Sequence, residues 1–386
     1  MKQLIFLFCL VSARTLPAQD TLIMVQTTGK LPFLEYGPGD NRLGGAKMTY
    51  LDSGVVLRVV DSLDRDYIVQ LSKQHRAFIA KEHIQAAPEK YSRPWSLTTN
   101  WRVFGDDTFD YLTVNVEERL PYRSIQQISP SRVVIDLFGA TSNTNWITHL
   151  RSAKEIKSAW YEQTEDDVMR IFIELRNKQH WGHFVYYDST GHKLTIRVKR
   201  QPPLNIRKMN IAIDAGHGGV NVGATGVSSG ITEKDYTLRI ARELDKLLKQ
   251  RKVKTFMTRE KDTTLEMVDR VQMLREANPD LLISIHLNSS GNMLISGTST
   301  YYRYIGFKEL SQSILNRMLE LKLTEIGNVG SFNFALNGPT EYPNCLVEVA
   351  FLSNLQDEKR ILDPVFHKAV AQKIYEGIND WLKKIK

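Results

Sequence analysis

The chain has 386 residues, with 51 Lys+Arg against 43 Asp+Glu and 2 Cys. That length exceeds one ordinary domain, and 42% hydrophobic with 24% charged residues excludes a largely disordered chain. Two cysteines exclude a disulfide-stapled scaffold and a Cys-rich metal cluster, while the net charge of +8 raises the question of an anionic partner.

Residues 1–18 place Lys2 ahead of the apolar run 4–11, with small residues at Ala13 and Ala18. This is the layout of a secretory signal peptide, and the run is too short to span a bilayer as a helix. The expected location is therefore outside the cytoplasm, in the periplasm or cell envelope. Removal of the signal takes Cys9 with it and leaves Cys345 as the single thiol. The remaining positive charge divides evenly, +3 over residues 19–207 and +3 over 208–386. A nucleic-acid binder would gather it on one element, so no nucleic acid is expected. A mild match to an anionic envelope polymer remains. No later segment is apolar enough to span a membrane.

Residues 20–88 read as short strands at 21–25, 48–51, 55–60, 67–71 and 77–79, punctuated by turn residues such as Asp52-Ser53-Gly54. The stretch LRVVDSLDRDYIVQLSKQHRAFIAKEHI (57–84) resembles bacterial SH3-like domains, which implies a small β-barrel. A polar linker is expected at 86–94. Residues 95–200 are again strand-rich, with alternating or apolar runs at 111–116, 132–138, 169–175 and 194–198, the period of a half-exposed antiparallel sheet. Their order, with VVIDLFG (133–139) and LTIRV (194–198), resembles the AMIN-type envelope domain.

After Pro202-Pro203 the pattern changes. Strands at 209–214, 253–257, 281–286, 297–304 and 345–350 alternate with helices near 233–251, 265–277, 308–322 and 364–383. Alternation of this kind predicts an α/β domain, a mainly parallel sheet flanked by helices, at 207–386. The expected fold class is thus multidomain: a C-terminal α/β domain preceded by two small all-β domains. Ligands of such sheets sit at the carboxyl ends of the strands.

Three of those ends, and the first turn of one helix, carry chemistry-bearing residues. His217 lies in the turn DAGHGG (214–219), where it is a ligand or a packed side chain. Glu233 follows Thr232 at the start of a helix, where Thr232 and Asp235 fit a capping box. There Glu233 either complements the helix dipole or faces His217. His286 ends the apolar strand LLISIH, and Glu348 interrupts the apolar strand LVEVAF. A buried carboxylate needs a metal, a proton or an arginine partner. Two His and one carboxylate are a standard ligand set for catalytic zinc, and a second carboxylate suits a general base. His180 and His183 also have ligand-like spacing, but without a third ligand they read as surface or turn residues.

The stretches IAIDAGHGG (211–219), TEKDYTLRIARELDKLL (232–248), MTRE (257–260), Asp269-Arg270-Val271, LLISIHLNSS (281–290), GTSTYY (297–302) and LVEVAFLSN (346–354) together resemble the zinc-dependent N-acetylmuramoyl-L-alanine amidases. The resemblance implies Zn2+ held by His217, Glu233 and His286, and Glu348 as the catalytic carboxylate. It implies peptidoglycan as substrate, cut between N-acetylmuramic acid and L-alanine of the stem peptide. Asn288 is a further candidate for orienting substrate. Ala215 stands where the family often has Pro. The segment 334–338 lacks an arginine common there, which puts an arginine clamp on the stem peptide in doubt. Only residues 287–296 separate His286 from the next strand, too few for the inhibitory helix of some members, so an uncovered groove is expected. Restraint would then come from the N-terminal domains or from an envelope activator or regulator. A zinc peptidase, a sugar deacetylase and a non-catalytic wall-binding protein are the alternatives.

Overall fold

The computed structural model describes residues 23–39, 43–88 and 96–386. The signal peptide expected at 1–18 and most of the linker expected at 86–94 lie outside the described residues. Residues 23–86 form a seven-stranded antiparallel sheet that includes Phe33–Glu35 and Ile84–Ala86, two short strands not expected from sequence. Its inward residues alternate with exposed or half-buried ones, as in strand Arg76–Ala80, where Ala77 and Ile79 are buried.

The following region is two facing sheets. One is four-stranded, built on strands Ser131–Phe138 and Val168–Leu175, and the other centres on Phe109–Val116 and Lys193–Lys199. Strands Tyr122–Ile128 and Ile156–Glu165 complete the first, and Ser96–Gly105, Ala140–Ser142, Ile147–His149 and His183–Tyr187 complete the second. The core does not stop at the expected boundary between the two β regions. Val25, Leu57 and Ile79 from the first belong to the same buried cluster as Leu112, Ile135 and Ile171 from the second. Backbone bonds such as Val56 N–H to Arg119 O (2.9 Å) cross between them.

Asp136 is buried in the four-stranded sheet, 1% exposed, between Arg123 (2.8 Å) and Arg170 (2.6 Å). Burial alone would raise its carboxyl, but the hydrogen bonds and charges of the two arginines outweigh this and hold it below the usual range. A depressed folded value stabilises the fold above the unfolded pKa of about 3.9, and that gain is lost as pH falls through the folded value. Both arginines are partly hydrated, which moderates the pair. Asp136→Asn is expected to cost about 2 kcal/mol at pH 7, and urea unfolding should show the gap shrinking below pH 4.

The C-terminal half is α/β. Its six-stranded sheet runs in the order Lys254–Met257, Asn210–Ala215, Leu281–Asn288, Asn344–Phe351, Thr298–Tyr301, Glu325–Val329. The first four strands are parallel, and Thr298–Tyr301 runs antiparallel to its neighbour Asn344–Phe351. Five helices accompany it: α1 Glu233–Gln250, α2 Met267–Ala277, α3 Lys308–Leu319, α4 Leu355–Leu362 and α5 Pro364–Lys384. Helix α1 buries Ile240, Ala241, Leu244 and Leu248 along one stripe against the sheet. Asp363 caps α5, accepting from Val365 N–H at 2.8 Å, with Pro364 at the first helical position. Helix α4 and strand Glu325–Val329 were not expected. Among the described residues no helix is long and apolar enough to cross a membrane.

The α/β half is packed against the regions before it. Lys199 Nζ lies 3.0 Å from Asp280, and Trp181 meets Trp381 with ring centroids 5.1 Å apart.

Candidate functional site

The carboxyl ends of the three central strands converge. Strand Asn210–Ala215 leads into the turn bearing His217, whose backbone is left-handed at φ 61°. Asp214, at the end of that strand, is buried and receives Thr258 Oγ1, Ser284 Oγ and Arg270 Nη1 at 2.7, 2.7 and 2.6 Å. Arg270 also donates to the carbonyls of Ala215 and His217. Arg259 donates to the carbonyls of Ala215, Gly216 and Lys234. Two buried guanidiniums thus pin the turn from behind and point His217 toward the strand ends.

Glu233 opens α1 and is buried. Its Oε1 lies 3.1 Å from His217 Nε2 and 3.0 Å from His286 Nδ1, and it accepts Leu287 N–H at 3.0 Å. Its Oε2 accepts Ala224 N–H at 2.8 Å. Thr232 precedes the helix as expected, but its hydroxyl donates to the Asp235 carboxylate at 2.7 Å and caps no backbone N–H. His286 lies near the end of a fully buried run, Leu281 to Leu287, on strand Leu281–Asn288. Close packing around it requires glycine at 216, since a Cβ there would come within 2.5 Å of the His286 ring. At Gly223, with φ 70°, a Cβ would lie 2.5 Å from Glu233 Oε2.

One donor atom from each of His217, Glu233 and His286 lies within 4.8 Å of the others, a group able to hold a metal ion. Ligands about 2.0–2.1 Å from a tetrahedral zinc stand about 3.3 Å apart, close to the 3.0 and 3.1 Å seen here. Asn221 Oδ1 lies 2.8 Å from His217 Nδ1, which leaves Nε2 facing the centre. His286 Nε2 is buried and has no hydrogen-bond partner among the described residues. Burial would raise the Glu233 carboxyl, but both histidines hold it well below the usual range. Burial would lower His286, and the Glu233 carboxylate outweighs this and raises it. The cluster favours positive charge at its centre.

Glu348 lies on strand Asn344–Phe351, directly beside His286 in the parallel register. It lines the same cleft, of about 530 Å³, as His217, Glu233, His286 and Asn288. Asn288 Oδ1 is taken by Ser289 N–H at 2.8 Å, a turn bond. A loop without a helix joins strand Leu281–Asn288 to Thr298–Tyr301. Cys345 is buried on the Glu348 strand, where burial pushes its thiol up.

All five candidate residues therefore share one cleft. The roles of Asp214, Arg259, Arg270 and Asn221 were not read from sequence, although two quoted motifs contain the arginines. The exposed placement expected for His180 and His183 is wrong. Both are buried, His180 Nε2 lies 2.8 Å from Gln127 O, and His183 begins a strand. Desolvation pushes His183 down to about 3.

Residues 211–380 match the family model for N-acetylmuramoyl-L-alanine amidase, and residues 101–198 match the AMIN domain. The N-acetylmuramoyl-L-alanine amidase AmiC of Escherichia coli is 23% identical over 72% of this chain and 87% of its own length. The germination-specific N-acetylmuramoyl-L-alanine amidase of Bacillus subtilis is 30% identical over 44% of this chain and 77% of its own. The solved catalytic domain of the amidase CwlV from Bacillus (Paenibacillus) polymyxa var. colistinus is 35% identical, over 45% of this chain and 98% of that domain, with a TM-score of 0.44. The chain belongs to the N-acetylmuramoyl-L-alanine amidase family of peptidoglycan hydrolases and carries an AMIN domain ahead of its catalytic half.

Proposed function

We propose that His217, Glu233 and His286 hold a zinc ion, and that Glu348 is the general base for hydrolysis of the amide between the lactyl group of N-acetylmuramic acid and L-alanine. The observation that carries this is the meeting of three metal-competent donors with a fourth carboxylate in one cleft. Zinc bound there supplies Lewis acidity, polarising a carbonyl and acidifying water at neutral pH. Glu348, beside His286, accepts the proton of the attacking water and passes it to the departing amide nitrogen. Glu233 is held in place by the Ala224 and Leu287 N–H groups, and His217 by Asn221. Asn288 at the cleft edge orients the substrate.

The layout supports a working division into a signal at 1–18, an SH3-like barrel at 20–88, an AMIN-like domain at 95–200 and a catalytic domain at 207–386. Export to the periplasm or cell envelope follows from the first of these and from the polymer the enzyme cuts. Digestion of purified peptidoglycan tests the reaction. Intact stem peptides with a free L-alanine amine are the expected products. Cleavage within the peptide, or release of acetate, would replace this reading with a peptidase or a deacetylase.

A further inference from the structure

The cleft has an apolar side that the chemistry above leaves unused. It is lined by Phe332, Phe334 and Leu346, and also by Leu43. The first three belong to the catalytic half. Leu43 belongs to the N-terminal β region, in the connection between strands Phe33–Glu35 and Lys47–Tyr50. A residue some 170 positions before His217 therefore forms part of the wall around the candidate metal centre.

The contact is built on one side chain. Asn333 Nδ2 donates to Gly45 O at 2.6 Å and to Leu43 O at 3.3 Å, and its Oδ1 accepts Lys47 N–H at 3.0 Å. Arg303 donates to Asn333 Oδ1 at 3.1 Å and to Lys47 O. On either side of Asn333 stand the two phenylalanines that line the cleft. Phe334 meets the His286 ring edge-on, 5.3 Å away at 84°. Asn333 thus couples the N-terminal segment to the aromatic wall over a candidate ligand. Docking extends beyond the clip. Leu31 packs in a buried cluster with Ala212, Val271, Leu274 and Leu336 of the catalytic half, and Tyr50 Oη donates to Ala335 O at 3.4 Å. The wall is held ready by these contacts and needs little ordering when a ligand arrives.

We propose that Leu43 is a specificity-determining residue: the N-terminal β region completes the substrate groove, and Leu43 packs on the apolar side of the stem peptide next to the scissile amide. This rests on the reading that the cleft is where the amide is cut. An apolar contact that touches none of the reacting atoms binds substrate and transition state alike, so it acts on KM and leaves kcat unchanged.

The test uses the full chain and a soluble disaccharide-tetrapeptide fragment of peptidoglycan. Leu43→Ala should raise KM about tenfold with kcat and zinc content unchanged, and Leu43→Asp should raise it further. Leu43→Met should restore the wild-type KM. Asn333→Ala, which releases the segment, should move KM in the same direction. Unchanged KM in both Leu43→Asp and Asn333→Ala would overturn the proposal. A fall in KM would also overturn it, because the segment would then obstruct the groove. Glu348→Ala measured in parallel separates the two readings. If it is inactive while the Leu43 variants match wild type, only this inference fails; if it is active, the reading of the cleft fails.

Discussion

Glu348→Gln is expected to lower turnover about a thousandfold while the enzyme keeps its full complement of zinc. Glutamine preserves the shape of the side chain and removes only its capacity to take a proton. The position is set by the sheet, since Glu348 pairs in register with His286 on the neighbouring parallel strand. Thr298 Oγ1 donates to the Glu348 carbonyl at 3.0 Å from the other side, so strands on both flanks hold this backbone. The substitution should therefore leave the three donor residues undisturbed. Kinetics on a defined muropeptide, together with metal analysis of the purified variant, decide the matter. Retained turnover would mean that another group moves the proton. Loss of zinc along with turnover would mean that Glu348 helps hold the ion.

The α/β half was legible because its elements are long and their periods are clear. Helix α1 shows an unbroken stripe from Ile240 to Leu248, and strand Leu281–Asn288 is apolar up to His286 except for Ser284. The missed elements lack such signals. Strand Glu325–Val329 is short, lies at a sheet edge and buries no residue fully, so EIGNV shows no apolar run. Strand Ser96–Gly105 buries Ser96, Thr98, Trp101 and Val103, and half of these are polar, which hides the alternation. Of the candidate ligands, His217 and His286 were legible for a different reason, because one sits in a glycine-rich turn and the other closes an apolar strand, whereas Glu233 lies in a polar helix start and carries no such signal. Their supports were not. Arg259 and Arg270 spend most of their hydrogen bonds on backbone carbonyls 25 to 55 positions away, and a carbonyl has no residue type to recognise. Leu43 is invisible for the same reason, since its place in the cleft is fixed by its own backbone carbonyl and by Asn333. The continuity of one core across both β regions was hidden because alternation reveals which face is buried and not what covers it.

Arg270→Met is expected to cost about 3–5 kcal/mol and to weaken zinc binding by about 10- to 100-fold. Arg270 and Asp214 are each 1% exposed and 2.6 Å apart. Removing the guanidinium leaves a buried carboxylate with only two hydroxyl donors, and leaves the His217 carbonyl without its donor. Burial alone would raise the Asp214 carboxyl, and the Arg270 charge is the chief influence that holds it below the usual range. A depressed folded value contributes stability above about pH 3.9 and loses it as pH falls through the folded value. The gap between wild type and variant should therefore be widest near neutrality and narrow below pH 4, as denaturant midpoints measured across that range would show. Asp214→Leu/Arg270→Met separates stability from positioning. Replacing a buried pair with apolar side chains commonly restores stability, so the double variant should recover most of the lost free energy. It cannot restore the donors to the carbonyls of Ala215 and His217, so its zinc affinity should stay low. Recovery of both properties together would show that the turn bearing His217 holds its shape without the arginine.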